Sequence, residues 1–322
     1  MLDARGGIGQ PGPGEARILV VQGGRVTRVL AREQSYPSTA GFAPSPRGRD
    51  VAYAENTPLA PGNPPQRQGL WVVSATGGVP HRVVVPPVST QGNRLDIGAV
   101  AWSSDRYTLA YAVVPVGSGV ANPEQDRPLG IWLTRYDRGR PRELITNARL
   151  GVADASISQL AWEPDGRTLL VSTFVAVRGT IVRGTTVPTV LAVDAQTGSV
   201  RTLVNGGQDA DASPTNGDLV YTTSTAHRTT LWVADARGGH PRALAHGLPA
   251  SLVSPVWSPD GRAIAFIDTV GASSIGRHSA AIRTVDIATG RIRTLLMTNQ
   301  TGQSLLPVGG QFVRLAWMRT SV

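Results

Sequence analysis

One phrase recurs along this chain and limits its fold more than any other feature. It is a short apolar approach, Trp, Ser or Glu, Pro, then Asp-Gly-Arg and a run of alternating apolar residues. It stands as Ala161-Trp162-Glu163-Pro164-Asp165-Gly166-Arg167-Thr168-Leu169-Leu170-Val171, and again from Val256-Trp257-Ser258-Pro259-Asp260-Gly261-Arg262 to Phe266. A looser copy runs from Ala101 to Tyr111, degenerate copies start at Phe42 and Ala212, and a last one is Leu315-Ala316-Trp317. The Trp-equivalent positions are 42, 102, 162, 212, 257 and 317, with gaps of 60, 60, 50, 45 and 60 residues. Helical repeats have shorter, steadier periods and no strand-turn-strand phrase, whereas four-stranded propeller blades fit this range.

A second phrase follows each copy: an apolar strand, a Gly-containing turn, then Arg-x-apolar, as in Leu231-Trp232-Val233, Asp235 to Gly239 and Arg242-Ala243-Leu244. An orphan pair, Ile18-Leu19-Val20 and Arg28-Val29-Leu30, precedes the first Trp-like position. Each full unit supplies strands a to d, but the N-terminus offers only c and d while the C-terminus stops after a. The expectation is an all-β, six-bladed β-propeller over residues 16–322, its ring closed by N-terminal strands completing the C-terminal blade. Residues 1–15, rich in Gly and Pro, read as a flexible linker. The closing blade is three-stranded, completed from residues 1–15, or cut short.

In Pro-Asp-Gly-Arg, proline presets φ, aspartate bonds nearby amides and glycine accepts positive φ, which makes a tight hairpin between strands a and b. Each Trp is expected to wedge between blades, with burial of roughly 200 Å² contributing about 5 kcal/mol gross at about 25 cal/mol/Å².

The sequence has 31 basic residues, all arginine, against 22 acidic ones, for a formal net charge of +9. That balance invites a nucleic-acid reading. However, Arg28, Arg82, Arg142, Arg201, Arg242 and Arg293 fall at equivalent outer-strand positions around the rim, where charge discourages unwanted strand pairing. No basic stripe is interleaved with aromatics, so no specific nucleic-acid binding is expected. The chain has no cysteine, no apolar run long enough to span a membrane, and no basic-then-apolar start that would read as an export signal. His81, His227, His240, His246 and His278 lack ligand spacing, and no G-x-S-x-G elbow is present. No metal, no cofactor and no catalytic residues are expected, and an enzyme is the weaker reading.

At the repeated residues the sequence resembles the WD40-like repeats of TolB-type β-propellers, over Ala16 to Trp317. The shared pattern is Trp-Ser/Glu-Pro-Asp-Gly-Arg, then an apolar-Ala-Tyr/Phe strand, then Leu/Ile-Trp-Val. The resemblance implies an extracytoplasmic, periplasmic or cell-surface, non-catalytic interaction platform. Related propellers also stand beside the serine hydrolase domain of prolyl peptidases.

The connections fall into two groups. The a-to-b and c-to-d turns are short and stereotyped. The others are long: 55–69, 114–130, 172–188 and 269–280 between b and c, and 86–98 and 147–158 between d and a. Long connections in compact domains are commonly functional, so the face that carries them is the expected working face. Near strand a on that face stand Asp96, Asp154, Asp209, Asp211 and Arg314, a candidate channel-mouth site for a protein or peptide partner. The alternatives are a small ligand or cell-wall glycan at that mouth, or a monomeric propeller gating substrate access to a hydrolase.

Overall fold

The computed structural model describes residues 2–5, 15–22, 25–34, 41–56, 68–87, 95–115, 129–137, 139–176, 186–225, 228–249, 252–270, 279–297 and 311–318. The chain opens with β1 (Leu2–Arg5), β2 (Glu15–Gln22) and β3 (Arg25–Gln34). Four-strand meanders follow. Blade 1 is β4 (Phe42–Pro44), β5 (Asp50–Glu55), β6 (Gly69–Ser74) and β7 (His81–Val84). Blade 2 is β8 (Leu95–Trp102), β9 (Thr108–Pro115), β10 (Gly130–Arg135) and β11 (Arg142–Thr146). After α1 (Asn147–Leu150), blade 3 is β12 (Val152–Trp162), β13 (Thr168–Ala176), β14 (Thr186–Asp194) and β15 (Val200–Asn205). Blade 4 is β16 (Gln208–Ala212), β17 (Leu219–Ser224), β18 (Arg228–Ala234) and β19 (Arg242–Pro249). Blade 5 is β20 (Leu252–Trp257), β21 (Ala263–Val270), β22 (Ser279–Asp286) and β23 (Ile292–Met297), and β24 (Gln311–Arg314) ends the set.

Every strand pair is antiparallel and each meander is one sheet, which makes the chain an all-β propeller. The first strands of successive blades touch one another, β4 with β8, β8 with β12, β12 with β16 and β16 with β20, so they form the hub. Five contiguous blades stand where the repeat predicts six. The sixth four-stranded sheet is composite, in the order β24-β1-β2-β3. Residues 2–5, expected in the linker, are its β1, pairing β2 on one edge and β24 on the other. Left unpaired, those two edges would expose backbone donors and acceptors, which is the physical reason for a strand there. Residues 6–14 lie outside the described residues.

The repeated turns obey local backbone chemistry. Asp165 Oδ1 accepts from Arg167 N (2.8 Å) and Thr168 N (2.9 Å), and Gly166 sits at φ 67. Asp105 makes the same bonds to Tyr107 N and Thr108 N, both at 2.8 Å, with Arg106 at φ 72 where the other copies carry glycine. Burial would raise both carboxyls, but these bonds outweigh it and hold them below the usual carboxylate range. The aspartates are turn locks.

Tryptophan wedges also appear. Trp257 packs with Val220, Leu231 and Val233 of blade 4 as well as Ile264 of its own blade, and Trp102 packs against Ala52 and Leu70 of blade 1. In blade 1 the place belongs to Pro44, not Phe42. Pro44 opposes Val51 as Trp102 opposes Leu109 and Trp257 opposes Ile264. The equivalent outer arginines do more than guard an edge. Arg142 Nη2 donates to Ala195 O (2.8 Å) and Arg242 Nη2 to Ile287 O (3.4 Å), each reaching a turn of the next blade. Residues 147–158, expected as a long loop, are α1 followed directly by β12. Thr146 caps α1 by accepting from Arg149 N, and Gly151 ends it at φ 70.

Candidate partner-binding site

The hub strands enclose a cavity of about 540 Å³. Gln159, Leu160, Asp211, Ser254 and Leu315 form its wall, and the a-to-b turns around Pro44, Arg106, Pro164 and Pro259 form its rim. Trp102, Trp162, Trp257 and Trp317 also line it. The indole N–H of Trp102 donates to Arg106 O (3.0 Å), whereas those of Trp162 and Trp257 are buried without a hydrogen bond.

The hub strands share a distortion that the repeat does not announce. Their register against the second strand slips between Ile97 and Val100, Ile157 and Gln159, Gln208 and Asp211, and Val253 and Val256. Asp209 (φ 52) and Ser254 (φ 54) take left-handed backbone there. A bulge frees amides from the in-sheet ladder, and buried amides need partners. Side chains of neighbouring blades supply them. Asn56 accepts from Ile97 N (3.1 Å) and donates to Ile97 O (2.7 Å). Ser172 Oγ accepts from Ala210 N (2.8 Å), while Gln159 Nε2 donates to Ala210 O (3.1 Å). Asp211 Oδ2 accepts from Trp257 N (2.8 Å), and Ser254 Oγ accepts from Leu315 N (2.9 Å). The result is a set of polar clamps that join hub strands to a neighbouring blade.

All five sequence-predicted residues lie on hub strands: Asp96 on β8, Asp154 on β12, Asp209 and Asp211 on β16, and Arg314 on β24. Two of them are engaged by separate partners. Asp96 is buried and its carboxylate accepts from Gln68 Nε2 of blade 1. Asp211 lines the cavity, where it serves as a clamp. The side chains of Asp154 and Arg314 lie outside the described residues, as do most of the long connections (57–67, 88–94, 116–128, 177–185 and 271–278). Sequence reading missed Asn56, Gln159, Ser172 and Ser254. Their only signal is a polar residue at the end of, or inside, an otherwise apolar strand.

Burial pushes the Asp211 carboxyl up to about 6, against the opposing bonds from the Trp257 and Ala212 amides. The fold therefore favours the protonated form more than the unfolded chain does. Its stabilising effect is full below the unfolded value of 3.8 and is lost as pH rises towards about 6. Asp211→Asn keeps an acceptor for Trp257 N and removes the charge. The variant minus wild-type difference in unfolding free energy should climb from near zero below about pH 4 to about 2 kcal/mol above about pH 6, allowing for the cavity-side exposure. Urea titrations across that range read it. A flat or falling difference would show that Asp211 is comfortable as an anion.

Among the described residues no three potential metal-ligating side chains cluster, and no helix is long and apolar enough to cross a membrane.

A hub cavity ringed by four-stranded meanders defines a β-propeller, and comparison with known proteins specifies which kind it resembles. The chain is similar to the Tol-Pal system protein TolB of Albidiferax ferrireducens, 36% identical over 77 residues, and of Coxiella burnetii, 44% identical over 73 residues. These matches span 24% and 22% of this chain and 16% and 15% of those proteins. Among solved structures, a putative TolB from Agrobacterium tumefaciens aligns over 84% of both chains at TM-score 0.58 and 16% identity. TolB from Acinetobacter baumannii aligns over 78% of this chain and 53% of its own, at TM-score 0.56 and 20% identity. No family model matches the sequence. The resemblance to TolB-like propellers, read first from the repeats, is therefore borne out.

Proposed function

We propose that the chain is a non-catalytic protein or peptide interaction module of the TolB-like kind, working outside the cytoplasm. Its partner docks on the face of the long b-to-c and d-to-a connections, near Asp96, Asp154, Asp209, Asp211 and Arg314. The carrying observation is the likeness to proteins named for the Tol-Pal system, joined to the asymmetry of the turns. The short turns are tied up by their own aspartates, which leaves the opposite face as the adaptable one. A second reading, a small ligand or glycan at the channel mouth, is favoured by the cavity of about 540 Å³ and its four lining tryptophans.

The same proposal includes a closed six-bladed ring. Arg28 Nη1 of the composite sheet donates to Ala75 O of blade 1 (2.8 Å), the bond that Arg142 makes from blade 2 to blade 3. On the other side, Ser254 receives Leu315 N as Asp211 receives Trp257 N. Both flanks of the composite sheet thus repeat bonds that join ordinary blades.

The functional test is affinity capture from the native envelope, comparing wild type with a variant carrying Asp96→Asn, Asp154→Asn, Asp209→Asn, Asp211→Asn and Arg314→Gln. A captured protein lost from the variant, with the melting temperature not lowered, is the expected result. Unchanged capture by the variant overturns this face as the site.

A further inference from the structure

The hub cavity lies at one end of the channel. On β8 its lining starts at Val100, on β12 at Gln159, on β16 at Asp211 and on β20 at Ser254, and on each it runs on towards the a-to-b turn. Its mouth is therefore on the short-turn face, opposite the long connections. At about 540 Å³ it has the size of a small-molecule site.

The turns on that face share one backbone, and blade 2 alone puts a charge on it. Gly48, Gly166 and Gly261 hold the left-handed position of the a-to-b turn in blades 1, 3 and 5, at φ 66, 67 and 70. Blade 2 places Arg106 there at φ 72, a conformation that costs any residue with a Cβ. Strain of this kind collects at working sites. The Arg106 side chain is exposed, lines the cavity and has no ion-pair partner among the described residues, while its carbonyl accepts from the Trp102 indole N–H at 3.0 Å. The other charged lining residues are Arg47, on the adjoining turn of blade 1, and Glu163 and Asp211 on blades 3 and 4. Glu163 is 8% exposed and Asp211 is committed to the Trp257 amide, so guanidinium is the charge the mouth offers.

Aromatic rings surround that charge. Trp102, Trp162, Trp257 and Trp317 line the cavity, and from Trp102 a row of rings leads outwards: Tyr136 at 5.2 Å between centroids, then Tyr107 a further 6.2 Å on and nearly parallel to it at 8°. Tyr107 is 42% exposed. Flat conjugated bodies stack on such rings, and a guanidinium among them holds an anionic group by charge-assisted bonds.

We infer that the hub cavity binds a small aromatic anion, its rings among the tryptophans and its carboxylate, sulfonate or phosphate group on Arg106. The inference rests on the small-ligand reading of the hub and gives that ligand a chemical class. It is independent of the partner face at the other end.

Two dyes that share one ring system separate the parts: anilinonaphthalene sulfonate, an anion, and phenylnaphthylamine, which lacks the sulfonate. Titrated into the full chain at neutral pH, the anion should bind one-to-one with a dissociation constant below about 100 μM, and the neutral dye about tenfold more weakly. Bound anion should slow amide hydrogen exchange in the a-to-b turns of blades 2 and 3. Arg106→Gly and Arg106→Glu should each weaken the anion by about tenfold or more and leave the neutral dye within about twofold. Arg106→Gly should at the same time keep or raise the melting temperature, since glycine takes this backbone without strain. If both dyes bind and protect those turns equally, or the anion does so indifferent to both Arg106 variants, the anion class is overturned and the small-ligand reading of the hub stands. If neither dye protects them, both fail.

Discussion

Trp257→Ala should lower the free energy of unfolding by about 3–5 kcal/mol, measured by urea titration at neutral pH. The indole is 6% exposed and belongs to one apolar cluster with Val220, Leu231 and Val233 of blade 4 and Ile264 and Phe266 of blade 5. Truncation opens a cavity bounded by two sheets, and neither can close it alone because each is pinned by its own ladder. The main-chain N–H of Trp257 keeps its bond to Asp211 in the variant, so the loss reports packing and not the clamp. A small offset comes from removing an indole N–H that has no partner, a buried group that costs about 1–3 kcal/mol. Trp162, only partly buried, should lose less under the same change. A loss below about 1 kcal/mol for Trp257→Ala would mean that the wedge is not what holds neighbouring blades together.

The wedge and its turn were legible because both are local. Proline, aspartate and glycine act within five residues of each other, and the bonds from Asp165 to the Arg167 and Thr168 amides need nothing from elsewhere. The clamps were not legible, since each joins residues far apart in sequence. Asn56 meets Ile97, Gln159 meets Ala210 and Ser254 meets Leu315, 41 to 61 residues on. Which polar residue reaches which amide depends on where the bulge falls, and bulges are set by crowding of hub strands that only the assembled ring imposes. The same cause hides the bonding partner of Asp211, whose strand position is clear from the repeat while the Trp257 amide it accepts from lies 46 residues on. Proline at 44 disguises the wedge position that the repeat assigns to Phe42, although Ser45 N to Asp50 O repeats the turn bond Ser103 N to Thr108 O.

Closure of the ring is open to a large and simple effect, because the protein has no cysteine to compete with an engineered pair. Ala4 on β1 lies opposite Gln311 on β24. Directly opposed strand residues have Cα atoms about 4.5–5.5 Å apart, within the span a disulfide bridges. Ala4→Cys with Gln311→Cys should oxidise spontaneously in the folded protein, and the bond would close nearly the whole chain into one loop. By chain entropy a loop of that length stabilises by about 6 kcal/mol, and geometric strain leaves about 2–4 kcal/mol in practice. Comparing oxidised and reduced forms of the same variant in urea isolates the cross-link from the substitutions. The sign carries the argument. If β1 and β24 are neighbours only in passing, the bond forms slowly or traps a distorted seam, and the oxidised form is no more stable than the reduced one. If they are the first two strands of a true sixth blade, every other blade is locked with them. Unfolding must then begin at an ordinary blade junction, where Trp257 and its equivalents resist it.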